Sequence, residues 1–174
     1  MAGEHQSPMH PQWRRTLVSL QQAGIIASVR EDECGLPWLY LESPDGEAYS
    51  PLGPTTSTKV GPAGSEYGVA GILPPGVAKV LVMSGCRQLI EAALGSGVWV
   101  ALIPQLGCVG GTLFFDASGN ILEYELHHQR PVPVKPPGWR SRLGVTLYGW
   151  VTRLRFVRMP RGEYTYGPGA RRRD

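Results

Sequence analysis

Cys86, Cys108, His127 and His128 are the residues of this chain whose types could do chemistry together. Two thiolates and two imidazoles are the donor set of a tetrahedral zinc site, and a cysteine beside a histidine is the minimum for an activated nucleophile. Their spacing lacks the short local Cys–Cys and His–His pairs that make a zinc motif specific. No nucleophile elbow or helix N-terminus is there to activate a sulfur. Strand parity is what would bring them together. Cys86 lies in the turn before the apolar run Gln88–Leu94, and Cys108 follows the run Val98–Ile103. Thr112–Phe115 crosses again, and Ile121–Leu126 returns to His127 and His128, so all four are expected at one end of a sheet. Free thiols, a Cys86–Cys108 disulfide and a Cys86/Cys108/His127/His128 metal site remain open alternatives, with Cys34 left over. A small hydrolase or metal-dependent enzyme on these residues is the catalytic alternative. No residue is assigned as catalytic, and no cofactor or small-molecule substrate is implied.

Two further clusters fall short of a motif. Glu31-Asp32-Glu33 lacks the spaced acidic loop with a central glycine that wraps calcium, and reads as a solvated turn. Gly107-x-x-Gly110-Gly111 is followed by no Lys-Ser/Thr and opens no predicted helix, so it is no phosphate loop.

Charge gives a stronger signal. The net charge of +3 divides unevenly: residues 1–126 carry 6 basic and 12 acidic side chains, residues 127–174 carry 11 basic and 2 acidic. A basic extension on an acidic body points to a partner: a protein, an anionic membrane or nucleic acid. Within it, Trp139, Leu143, Leu147, Trp150, Leu154 and Val157 step by 4, 4, 3, 4 and 3 residues, which is helical spacing. The alternation Leu143/Val145/Leu147 would also suit a strand. Arginines at 140, 142, 153, 155, 158 and 161 accompany this stripe. The partner-binding candidates are therefore Trp139, Arg142, Leu147, Trp150, Arg153, Leu154, Arg155 and Arg158.

The elements that must position these residues are short. Between 69 and 126, the runs Val69–Leu73, Val77–Met83, Gln88–Leu94, Val98–Ile103 and Thr112–Leu126 are separated by turn residues, the last being broken by Ala117-Ser118-Gly119-Asn120. Runs of this length, rich in Val, Leu, Ile and aromatics, predict successive antiparallel strands. Val80, Val82, Leu89, Val98, Val100, Leu102, Leu113 and Ile121 are the predicted core. Upstream, Trp13, Leu17, Leu20 and Ala23 have helical spacing ahead of Gly24, which predicts a short N-terminal helix. Strands are expected at Ile25–Arg30, Trp38–Glu42 and Ala48–Leu52, with a Pro44-Asp45-Gly46 turn. Residues 53–65 read as a long surface loop, and PVPVKPP (131–137) as an extended polyproline-type linker.

The succession Gly76–Val82, Val98–Pro104 and Phe115–Leu122, with its aromatic-Asp-Ala-x-Gly hairpin, resembles small extracytoplasmic β-sandwich domains found in actinobacterial proteins of unassigned function. The resemblance covers residues 69–126. It implies a binding or structural domain and carries over no catalytic residue; the chain departs from those domains in showing no anchor or signal segment.

The resulting expectation is an all-β protein, a small antiparallel sandwich or partly open barrel with a short N-terminal helix and an amphipathic C-terminal segment. Its parts are a flexible lead (1–12), a β-sandwich domain with the helix (13–128), a Pro-rich linker (129–138), a basic amphipathic segment (139–160) and a disordered tail (161–174). The expected role is a non-catalytic interaction or structural module that docks to a partner protein or assembly through its basic C-terminal segment. A peripheral membrane or nucleic-acid-binding protein using that segment is the alternative. With no apolar run near the ~20 residues that span a bilayer and no signal-peptide pattern, the expected compartment is the cytoplasm.

Overall fold

The computed structural model describes residues 11–60, 66–84, 88–103, 109–126 and 166–173. Every regular element among them is a β-strand: β1 (Trp13–Gln22), β2 (Ile25–Asp32), β3 (Pro37–Ser43), β4 (Gly46–Pro51), β5 (Thr55–Val60), β6 (Glu66–Ile72), β7 (Lys79–Ser84), β8 (Leu89–Glu91), β9 (Ala93–Leu94), β10 (Val98–Ile103), β11 (Val109–Phe115), β12 (Ile121–Leu126) and β13 (Tyr166–Arg172). The all-β expectation holds. No helix among the described residues is long and apolar enough to cross a membrane.

The strands fall into two compact units, neither continuous in sequence. The first takes residues Met1–Ile72 and Ala93–Leu102, the second Leu73–Ala92 and Ile103–Asp174. The expected strand at Gln88–Leu94 is in fact two. β8 pairs with β7 in the second unit and β9 with β10 in the first, so the chain changes units at Ala92.

In the first unit, β1 to β4 form a four-stranded antiparallel meander, and a second sheet has the order β5-β6-β10-β9. Inward-facing residues of both sheets share one core: Val18, Ala27, Val29, Leu39 and Leu41 from the meander, Val60, Ala70, Val98, Val100 and Leu102 from the other sheet. Burying several large aliphatic side chains at ~1.5–3 kcal/mol each is the main force holding this unit. Gly95 brings the two sheets close at one edge. A Cβ there would run into the carbonyl oxygen of Leu17 and the Cβ of Val18.

In the second unit, one five-stranded sheet has the order β13-β12-β11-β7-β8. Leu81, Leu113, Phe115 and Ile121 form its core cluster, with Leu89 and Tyr124 packed against it. Seven of the eight predicted core residues are buried, and Leu89 is half-buried. Every residue of β10 and β11 is buried, and all but Lys79 in β7. Alternation therefore says little in these strands, because both faces are covered.

Three expectations are corrected. The N-terminal helix does not form: Trp13–Gln22 is strand β1. Irregularities between Trp13 and Arg15 and between Thr16 and Val18 shift its phase against β2, so Leu17, Val18 and Leu20 all pack against the core. A bulged strand can thus imitate helical spacing. Ala23-Gly24 is accordingly a two-residue hairpin loop with positive φ at both positions (51° and 82°), not a helix stop. The long loop at 53–65 contains β5, a polar Thr/Ser strand at the edge of its sheet, where hydrophilic side chains protect an open ladder. The tail at 161–174 is not disordered throughout, since β13 pairs in parallel with β12. Gly167 supplies the close approach to the Ile121 carbonyl. The Arg173 amide donates to the Tyr124 carbonyl at 2.8 Å, and its guanidinium lies 3.7 Å from Glu123 and 5.2 Å from the Phe114 ring.

Candidate functional site

The partner-binding residues expected from sequence, Trp139, Arg142, Leu147, Trp150, Arg153, Leu154, Arg155 and Arg158, lie outside the described residues, as do Cys86, Cys108, His127 and His128. The nearest described neighbours of the thiols and imidazoles do share one end of a sheet. Ser84 pairs with Val109, and Leu126 with Gly111 on the same strand, β11. The route differs from the expected one, because β11 pairs with β7 rather than β10. Among the described residues, no group of three His, Cys, Asp or Glu side chains could hold a metal ion. Cys34 is a free thiol exposed in the β2–β3 turn.

The outward face of the meander gathers aromatic and charged side chains from all four strands. Alternation sends Leu39 and Leu41 inward, so Trp38, Tyr40 and Glu42 must face out. Register then places Ser28 beside Tyr40, Arg30 beside Trp38, and Tyr49 beside Tyr40. Trp13, level with Asp32, joins them from β1.

The rings pack edge to face. Trp13 meets Tyr40 at 5.7 Å and Tyr49 at 6.2 Å, and Trp38 meets Tyr49 at 6.1 Å, with interplanar angles of 70°, 78° and 69°. Such pairs contribute ~0.5–1.5 kcal/mol beyond their buried area. The Arg30 guanidinium sits 3.6 Å from the Tyr40 ring centroid, 5.9 Å from that of Trp13 and 4.0 Å from Glu42, and its Nε donates to Ser28 Oγ at 3.1 Å.

Hydrogen bonds fix the remaining polar atoms. The Tyr40 hydroxyl donates to Glu47 at 2.6 Å and lies 3.3 Å from Glu42. Burial pushes the Tyr40 phenol up to about 12, helped by its bond to Glu47 and by the charges of Glu42 and Glu47, with Arg30 opposing. The Trp38 indole donates to Asp32 Oδ2 at 2.9 Å, and the Leu36 amide donates to Asp32 Oδ1 at 2.8 Å. The Leu36 amide, more than the indole, holds the Asp32 carboxyl below its usual value. On the inner side of the strand end, Glu31 is buried and receives Arg15 at 2.8 Å and Arg14 at 3.5 Å.

No family model, curated protein or solved structure matches the chain. Its function must be argued from its own residues.

Sequence reasoning missed this face. Helical spacing over Trp13–Ala23 places Trp13 on an apolar helix stripe, away from the aromatics at 38, 40 and 49. The available signal was parity: Arg30 and Asp32, Trp38, Tyr40 and Glu42, and Tyr49 and Pro51 all alternate with core residues on adjacent strands.

Proposed function

We propose that this protein is a non-catalytic interaction or structural module, a small antiparallel sandwich or partly open barrel that docks to a partner protein through its basic C-terminal segment. The observation that carries the reading is the division of charge between residues 1–126 and 127–174. Part of that basic charge is used internally, since Arg173 meets Glu123. The docking role therefore rests on residues 139–158, where a Trp/Leu stripe runs among arginines. The shared core of the two sheets in the first unit, and the approach of Gly95 to Leu17, support the sandwich or barrel description.

Salt dependence distinguishes the alternatives. Contacts with nucleic acid or an anionic membrane weaken as ionic strength rises and screening shortens to ~8 Å near 0.15 M. An apolar groove on a protein is far less sensitive. The test measures partner recovery and vesicle binding, across a salt series, for full chains carrying Arg153→Gln/Arg155→Gln/Arg158→Gln or Trp139→Ala/Trp150→Ala. Loss chiefly in the tryptophan variant supports the protein partner. Loss only in the arginine variant, with steep salt dependence, replaces that reading by the membrane or nucleic-acid one.

A further inference from the structure

We propose that the outward face of the β1–β4 meander is a second docking surface, independent of the C-terminal segment, and that its occupant is an extended, proline-rich peptide carrying Lys or Arg. Trp13, Tyr49 and Trp38 form a continuous ladder of edge-to-face rings, each only half-buried. Pro51, the cross-strand partner of Trp38, is exposed, and Leu36, two residues before Trp38 in the chain, is 58% exposed. Aromatic ridges of this kind take up pre-extended proline-rich chains, whose low entropy of ordering favours binding to shallow surfaces.

Charge selects the flanks of that peptide. Residues 32–47 hold five acidic side chains and no Lys or Arg, while Glu31 is buried and paired with Arg14 and Arg15. Of those five, Glu33, Glu42, Asp45 and Glu47 are exposed. A phosphate backbone would be repelled along this rim, whereas a cationic peptide would be drawn to it. The face already holds one cation in this way: Arg30 lies over Tyr40 with Glu42 at its edge. Rings whose planes stand at 69–78° to one another present alternating edges and faces rather than the flat platform on which sugar rings stack.

Isothermal titration calorimetry on the full chain tests this with a synthetic proline-rich peptide bearing an arginine at each end. The same peptide with glutamates in their place, a single-stranded oligonucleotide and a soluble oligosaccharide are titrated alongside. Saturable binding of the cationic peptide is expected, at least tenfold weaker for the glutamate version and for the Trp38→Ala chain. Leu36→Ser, at an exposed turn position, keeps the fold and is expected to weaken binding severalfold, so it decides the matter if Trp38→Ala fails to fold. Absence of binding to the wild-type chain overturns the proposal. So does undiminished binding to Leu36→Ser and a folded Trp38→Ala, or preference of these residues for the oligonucleotide or the oligosaccharide.

Discussion

Trp13 and Tyr49 touch ring to ring across a sheet on whose two edge strands they lie. Three strand spacings separate β1 from β4, about 14 Å on a flat sheet, and the two residues are offset by four positions along β2, about 13 Å more. Centroids 6.2 Å apart therefore require a strongly twisted meander, and the two irregularities in β1 supply the bend that carries Trp13 over the outward face.

Trp13 should consequently act as a clamp. Trp13→Ala is expected to destabilise the first unit by about 2 kcal/mol, less than a fully buried tryptophan would, while Trp13→Phe retains most of the stability. Urea denaturation measures both. A Trp13→Ala midpoint equal to wild type would show that the ring contacts carry no energy.

Ala23 has φ 51° in the β1–β2 turn, a conformation that disfavours a side chain without a local polar partner. Ala23→Asn creates the Asn-Gly pair preferred in such two-residue loops. A gain of about 1 kcal/mol is expected, read as a higher melting temperature. A loss would mean that the turn differs from the one described.

Thr112, fully buried on β11, has a hydroxyl with no hydrogen-bond partner among the described residues. Thr112→Val removes that unsatisfied group at similar volume, so the variant should be more stable by about 1 kcal/mol. Thr112→Ser keeps the hydroxyl and loses a methyl, and should be less stable than wild type. Reversal of that order would show that the hydroxyl is paired.

Two hairpins share one device. In Asp32–Leu36 and Asp116–Asn120 the aspartate accepts the amide four residues on, at 2.8 Å in each, and a positive-φ glycine precedes that residue. Those amides, Leu36 for Asp32 and Asn120 for Asp116, are the chief cause of both carboxyls lying below their usual value. Each thus contributes stability that is present above the unfolded pKa near 4 and lost as pH falls through the lower native value. Asp116→Asn should flatten the acid limb of a stability–pH curve. The raised Tyr40 phenol acts at the other end: its contribution is complete below pH ~10 and disappears as pH climbs through about 12. Tyr40→Phe should abolish that part of the alkaline loss. Unchanged limbs in either variant would refute the corresponding assignment.

Strand content and the buried set around Val100 and Leu113 were legible because short runs rich in Val, Leu, Ile and aromatics between turn residues have few other solutions. Four features were not. Bulges in β1 turned a period of two into apparent helical spacing. β5 carries the Thr/Ser composition of a loop because edge strands are polar. β13 is held by a glycine approach and Arg173 rather than by an apolar pattern. Parity marks which side chains of the outward aromatic face point out of each strand, but which of them meet depends on register across four strands, which local periodicity does not specify.

The docking role of the C-terminal segment is tested most directly by quantitative affinity purification with mass spectrometry. Wild-type and Trp139→Ala/Trp150→Ala full chains are compared at equal expression, with thermal melts of the same preparations. Recovery of a specific protein partner is expected to fall at least tenfold in the variant while the melting temperature stays within a degree or so of wild type. Equal recovery of every co-purifying protein, accompanied by a large fall in melting temperature, would contradict the docking role and make residues 139–158 part of the protein's own core.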